Sequence, residues 1–305
     1  MLPQGLLIEI PTPLDHQRRL DRQGLKRLLA RSVPAAEGLV LAGTRVGQGH
    51  LMDDRLWHEL MEAGLDGVPP EMPLFLGLAG LDSRQTLERA RWLAPHLEKR
   101  PAWGLDLPLY HHSNRGLPYW VERLAQALER KVVLVNQPDA VRGRRGPGKR
   151  LNLMPSVLAK CSAGLAGVVH SGSLRVGIGF QRTLRQFSGA RLYDGDELAF
   201  LGRPSRSGLV SATAALIPED WRLVVDNSLG RGRAFARSEE RASLLEAAAR
   251  ARELAALTAG DPAAVMALLC HAVGLASSPN ALVPAPDKEV VAAARRWAQG
   301  QGWFV

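Results

Sequence analysis

Eight short apolar runs recur along the first two-thirds of this 305-residue chain, each followed by a polar loop and an amphipathic stretch. They are LLIEI (6–10), GLVLAG (38–43), PLFLGLAG (73–80), WGLDLPLY (103–110), KVVLVNQP (131–138), LAGVVH (165–170), ARLYDGD (190–196) and SGLVSAT (207–213). Near-continuous apolar runs predict strands covered on both faces, and their alternation with helices predicts a parallel sheet with right-handed crossovers. Eight such units favour a closed (β/α)8 barrel, a TIM barrel, over an open doubly wound sheet. Helix starts support this. Asp53 and Asp54 precede RLWHELMEAG, Asp82 and Ser83 precede RQTLERARWLAPHL, and Pro155 opens PSVLAKC. From about residue 234 the pattern changes to SEERASLLEAAARARELAALTAG, DPAAVMALLCHAVGL and PDKEVVAAARRWAQGQG, three helical stretches without strands. The expected organisation is a barrel over 1–233 and a C-terminal helical domain over 234–305 packed on it.

Composition narrows the function classes. At 46% hydrophobic and 23% charged the chain reads as a globular α/β protein, with no apolar run long enough to span a bilayer. The first fifteen residues, MLPQGLLIEIPTPLD, show neither a basic region nor a small-residue cleavage site, so no secretion signal is expected. Cys161 and Cys270 fall in apolar helical contexts and read as buried free thiols, which suits a cytoplasmic location. The net charge of +9 comes mostly from arginine, spread along helical polar faces rather than clustered, so neither nucleic acid nor membrane is an expected partner. The exception is VRGRRGPGKR (141–150), which reads either as a solvated loop or as a flap over an anionic substrate or polyanion. Residues 142–150, an insertion without an apolar anchor, are expected to add little to stability. GIG at 177–179 lacks the third glycine of a dinucleotide fingerprint. His111 and His112 point opposite ways if extended, and no Cys cluster or H-x-E-x-H accompanies them, so no metal site is expected. A nucleophile elbow is missing too.

The order of several segments resembles the dihydrodipicolinate synthase / N-acetylneuraminate lyase family, class I aldolase-type barrels with a C-terminal helical domain. IPTPLD (10–15) resembles the family's first strand and its Thr-Pro, and VLAGTRVGQGHLMDDR (40–55) sits where the family has a Gly-Thr-Thr-Gly-Glu loop. LPLYHHS (107–113) resembles Thr-Pro-Tyr-Tyr, LVNQP (134–138) resembles Tyr-Asn-x-Pro, YDGDE (193–197) matches a Gly-Asp pair, and GLVSAT (208–213) matches Gly-x-Ile-Ser. DPAAVMALLCHAVGL (261–275) resembles an Asn-Pro-x-x-Val-Lys-x-Ala segment. The resemblance covers nearly the whole chain. It implies a lyase or aldolase fold acting on a small keto acid, no cofactor, and a homodimer or homotetramer. The candidate substrate-binding set is Thr44, Arg45, Tyr110, Glu9, Asp106 and Arg142, of which Tyr110 matches a tyrosine that the family places across a subunit interface.

Departures from the family pattern fall on the chemistry. An ungapped alignment on Gly167 puts Val169 at the Schiff-base lysine and His170 at the following acid, and Val135 takes the place of the proton-relaying tyrosine. Arg45 replaces the second threonine, and Ala140 stands where an arginine is expected, with Arg142 two places late. None of the six lysines is a natural substitute. Lys131 begins a strand, at the wrong end of a barrel whose chemistry sits at strand C-termini, and Lys149 lies in a solvated loop.

His170 therefore has two readings. It is a general base if its strand is slipped by one residue, and a helix-capping residue turned away from the axis in the ungapped register. The ungapped register is expected, because Gly167 keeps its place. Glu9 and Asp106 are carboxylates inside apolar strands and need partners, and Arg45 is expected to be buried beside one of them. The functional expectation is a divergent member that binds a small keto acid or other carboxylate without a lysine adduct. The alternatives are a catalytically inactive barrel kept as a small-anion sensor or partner subunit, and a polyanion binder using the 142–150 loop.

Overall fold

The computed structural model describes residues 1–142, 150–231 and 238–303. Its eight parallel strands close into one barrel in chain order. They are β1 (Gly5–Glu9), β2 (Gly38–Leu41), β3 (Leu74–Gly77), β4 (Ala102–Asp106), β5 (Val132–Asn136), β6 (Leu165–His170), β7 (Arg191–Asp194) and β8 (Gly208–Ser211). Each lies within one of the eight apolar runs or is offset from it by a residue. The helices between them are α1 (Arg22–Ser32), α2 (Asp54–Gly67), α3 (Ser83–Leu93), α4 (Leu117–Leu128), α5 (Pro138–Arg142), α6 (Pro155–Leu158), α7 (Leu174–Leu184), α8 (Glu197–Gly202) and α9 (Pro218–Ser228). Then come α10 (Ser238–Thr258), α11 (Pro262–Ala272) and α12 (Lys288–Gly300). This is the (β/α)8 barrel with a helical C-terminal part. Asp53 and Asp82 cap α2 and α3 as the sequence suggests, each accepting a backbone N–H in the first turn.

Strand pairing fixes which side chains face the axis, because laterally paired residues in a parallel sheet share a face. The registers Val40↔Phe75, Phe75↔Trp103, Val135↔Val169 and Val169↔Tyr193 put these residues on the inner face. Phe75 stacks on Trp103 and meets Tyr193 edge-on, so large rings fill the lower barrel. Tyr193 ties this floor to the N-terminal segment by donating its hydroxyl to the Pro3 carbonyl at 2.5 Å. Above the floor the inner face narrows to Val40, Leu105, Val135, Val169 and Val210, and only about 20 Å³ is open there. Asp106, Asn136 and His170 share the opposite, outward face through Asp106↔Leu134 and Asn136↔His170.

The C-terminal helices reach the open end of the barrel. α10 packs along α9 and α8, and Arg250 on α10 forms a two-pronged ion pair with Asp220 on α9 at 2.9 and 2.7 Å. The segment after α11 is pinned to the β1–α1 turn by Ser278 on the Leu14 carbonyl and Ser277 N–H on Asp21. Among the described residues no helix is long and apolar enough to cross a membrane. Cys161 and Cys270 are buried free thiols, and burial pushes them up to about 11 and about 12.

Candidate functional site

Strand C-termini open into a cavity of about 420 Å³ between the barrel and the N-terminal end of α11. Its wall includes Thr44, Arg45, Gln137 and Ser171 from the barrel, Asp196 and Glu197 at the start of α8, and Ala259 to Ala263 from the α10–α11 turn. The loop after β2 supplies its central cation. Arg45 has a side chain only 15% exposed, and it spans the mouth to donate to the Gly195 carbonyl at 3.0 Å and to pair with Glu197 Oε2 at 3.2 Å. The other Glu197 oxygen accepts from the Ser211 hydroxyl, the Thr213 hydroxyl and the Thr213 backbone N–H at 2.6 to 2.8 Å. Burial alone would raise the Glu197 carboxyl, but Arg45, ahead of Ser211 and Thr213, brings it below the ordinary carboxylate range.

The expectation that Arg45 is buried at the barrel mouth against an acid needs correction in the identity of that acid. Its guanidinium pairs with Glu197, not with Glu9 or Asp106. Glu9 is met by the Arg45 backbone instead, its Oε1 accepting the N–H groups of Arg45, Val46 and Gly47 at 2.9, 2.9 and 3.0 Å. Burial dominates the Glu9 carboxyl and raises it, against the pull of those N–H groups and of Arg45. Asp106 faces the outer helices. It accepts the Trp120 Nε1–H at 2.7 Å, and the Trp120 ring stacks on His112, which in turn meets the Ser83 hydroxyl at 3.0 Å. The reason is strand alternation: Leu105 points to the axis, so its neighbour Asp106 points to α4.

Burial pushes Asp106 up to about 6 from an ordinary 3.8. A raised carboxyl favours the protonated folded state, so its contribution to stability is present at low pH and is lost as pH rises through about 6. Asp106→Asn keeps an oxygen for Trp120 and removes the buried charge. It is expected to be more stable than the parent near neutral pH by about 1–3 kcal/mol, with the gap closing below about pH 4. Urea unfolding at the two pH values checks this, and a constant gap would refute it.

His170 does not face the axis. Its Nδ1 accepts from Asn136 Nδ2 at 3.1 Å, its Nε2 donates to the Ser173 carbonyl at 3.1 Å, and its ring meets Phe180 of α7 edge-on. Burial lowers its pKa and holds the imidazole neutral, against weaker opposing pulls from the Ser173 bond and Asp196. Val169 and Val135 thus line the interior, and His170 ties β6 to the start of α7. Asn136 completes the tie by accepting the Leu153 N–H and donating to Asn152.

Thr44 donates its hydroxyl to Gln137 Oε1 at 2.6 Å on the cavity wall. Tyr110 is buried, with its ring edge-on to His50 at 5.3 Å and to His111 at 4.9 Å. Arg142 is exposed and pairs with Asp139 at 2.8 Å, and Asp139 lines the cavity rim. Most of the basic insertion, residues 143–149 including Lys149, lies outside the described residues. Among the described residues no cluster of three or more candidate ligands could hold a metal ion.

Glu197 and Arg89 were not singled out from sequence. Glu197 reads as an ordinary acid in a first helical turn, although the preceding Gly-Asp match marks the segment. Arg89 reads as one more polar-face arginine of α3, yet it is 1% exposed. It donates to the carbonyls of Gly49, Ala79 and Met52 at 3.0, 2.8 and 2.8 Å, and so anchors the loops after β2 and β3 that frame the mouth.

No protein-family model matches this sequence, and no curated protein matches it. Solved structures match the fold. The dihydrodipicolinate synthase of Aquifex aeolicus superposes with a TM-score of 0.80 at 12% identity, covering 99% of both chains. That of Thermotoga maritima gives 0.80 at 14% identity, again over 99% of both. YagE, an E. coli K12 prophage protein of the dihydrodipicolinic acid synthase family solved in complex with pyruvate, gives 0.79 at 17% identity over 99% of this chain and 100% of its own.

Proposed function

We propose that this chain is a divergent member of the dihydrodipicolinate synthase family that binds a small monocarboxylate, such as a keto or hydroxy acid, at the barrel mouth without forming an imine. The observation that carries the reading is the pair Val135 and Val169 facing a nearly filled interior beneath the open cavity. Apolar side chains there transfer no proton and form no Schiff base, so the lyase step has no residue to perform it at that position. Recognition falls to the cavity above. Arg45 supplies the cation, while Thr44, Gln137 and Ser171 supply polar groups able to fix orientation.

Among the described residues the rim carries Asp139, Asp196, Glu197 and Asp261, of which Glu197 pairs with Arg45 and Asp139 with Arg142, leaving Asp196 and Asp261 without an arginine partner. This balance disfavours di- and tricarboxylates, because each added negative charge meets the acidic wall. Fold alone does not carry the activity of the superposed enzymes to this chain. We also propose a homo-oligomer, supported by Leu174 and Ile178, which stand exposed one turn apart on α7.

Borohydride reduction with pyruvate, followed by peptide mass mapping, is expected to leave every lysine unmodified. A trapped adduct on one lysine would overturn the reading. Thermal unfolding against a carboxylate panel is expected to show saturable stabilisation by one or more monocarboxylates and none by dicarboxylates. A flat response across the panel would favour the partner-subunit alternative.

A further inference from the structure

We propose that the backbone of residues 45–47 is a carboxylate-binding nest and that Glu9 is its resident, intramolecular ligand. Three consecutive N–H groups converge on the single oxygen Oε1 of Glu9, at 2.9, 2.9 and 3.0 Å. Successive backbone donors aimed at one point form an anion-binding concavity. The surrounding loop is built tightly around that point. Ala42 and Gln48, both non-glycine residues, bracket it with φ of 50° and 55°, in the left-handed region that favours glycine. A Cβ at Gly43 would lie 2.4 Å from Glu9 Oε1, and one at Gly47 would lie 2.3 Å from the Gly43 nitrogen. The loop therefore curls back on itself and leaves room for a carboxylate and little else. Thr12 holds the far side by donating to the Gly47 carbonyl at 2.7 Å, and Gln48 accepts the Leu282 N–H at 2.7 Å.

An internal ligand of this kind changes what the mouth can recognise. In the unaltered protein an incoming carboxylate cannot use these three N–H groups, because Glu9 already does. Selectivity at the mouth then resides in side chains, chiefly Arg45 and Thr44. The inference stands on the loop geometry and does not depend on the ligand proposed for the outer cavity.

Glu9→Ala deletes a fragment equivalent to acetate and leaves the nest vacant. The variant is expected to melt roughly 5–10 °C below the parent. Acetate should restore at least half of that loss saturably, in the millimolar range expected once the tether and its effective concentration are gone. Formate should restore less, acetamide a substantial part because its carbonyl oxygen meets the same three donors, and chloride at equal ionic strength none. Glu9→Gln retains an oxygen for the three donors, so it should melt near the parent and gain no more from acetate than the parent does. The proposal is overturned if acetate stabilises Glu9→Ala no more than it stabilises the parent and Glu9→Gln. Should Glu9→Ala fail to fold in plain buffer, refolding in acetate becomes the readout. Recovery of native protein supports the proposal. No recovery in acetate, alongside a native Glu9→Gln, overturns it.

Discussion

Arg89→Leu is expected to lower folding stability by about 4–6 kcal/mol, which is comparable to the whole stability of many domains. The substitution keeps much of the side-chain volume but removes every donor. The carbonyls of Ala79 and Met52 then lose this partner in the interior, and that of Gly49 keeps only the Met52 N–H at 3.3 Å. A buried polar group left unmatched costs about 1–3 kcal/mol. Stacking of the guanidinium over the Trp57 ring, at 5.0 Å, is lost as well. Part of this is offset, because burial itself opposes the charge and pulls the Arg89 pKa down to about 10. Arg89→Lys should recover only a fraction, since one ammonium group cannot reproduce the planar fork that reaches carbonyls of two loops. Urea unfolding gives the answer as a shift in midpoint at constant slope. A loss below about 1 kcal/mol would mean that water or loop movement satisfies the three carbonyls.

Arg45→Met should cost about 3–5 kcal/mol near neutral pH, because it leaves Glu197 buried without its counter-charge. The pH dependence separates this cause from lost packing. In the parent, Glu197 sits below its ordinary value of 4.5, so its contribution is present above that pH and is lost as pH falls through the depressed value. Without Arg45, burial is opposed only by the Ser211 and Thr213 bonds and is expected to move the Glu197 carboxyl upward. The variant's contribution from Glu197 is then lost as pH rises instead. The gap between variant and parent is therefore expected to shrink on acidification towards about pH 4. Adding Glu197→Gln to Arg45→Met should recover most of the loss at neutral pH, since it removes the stranded charge. A deficit that ignores pH, or that Glu197→Gln deepens, would show that Arg45 acts by filling space.

Much of the architecture was legible in the sequence because it depends on local, repetitive signals. Apolar runs located all eight strands, and the strand-free stretches after the eighth run announced the consecutive helices α10, α11 and α12. Side-chain direction at the strand ends was harder. Asp106 could have been assigned outward from its neighbour Leu105, but only after the axis-facing register of β4 was known. The partner of Arg45 lies 152 positions away in sequence. Glu197 reaches it because β7 ends beside β8 and the chain turns at Gly195, a juxtaposition made by barrel closure. Arg89 carried no signal at all, since its polar-face position within α3 looks the same whether it meets solvent or three loop carbonyls.

The ring-filled lower barrel, with Phe75, Trp103 and Tyr193 packed together, makes the fold a blind cup rather than a tube. Any solute that reaches the axis has to leave by the way it came. Its residence time is then set at the rim, where Arg45 and the α10–α11 turn stand, and changes at the floor should alter the cup's rigidity without altering traffic through it.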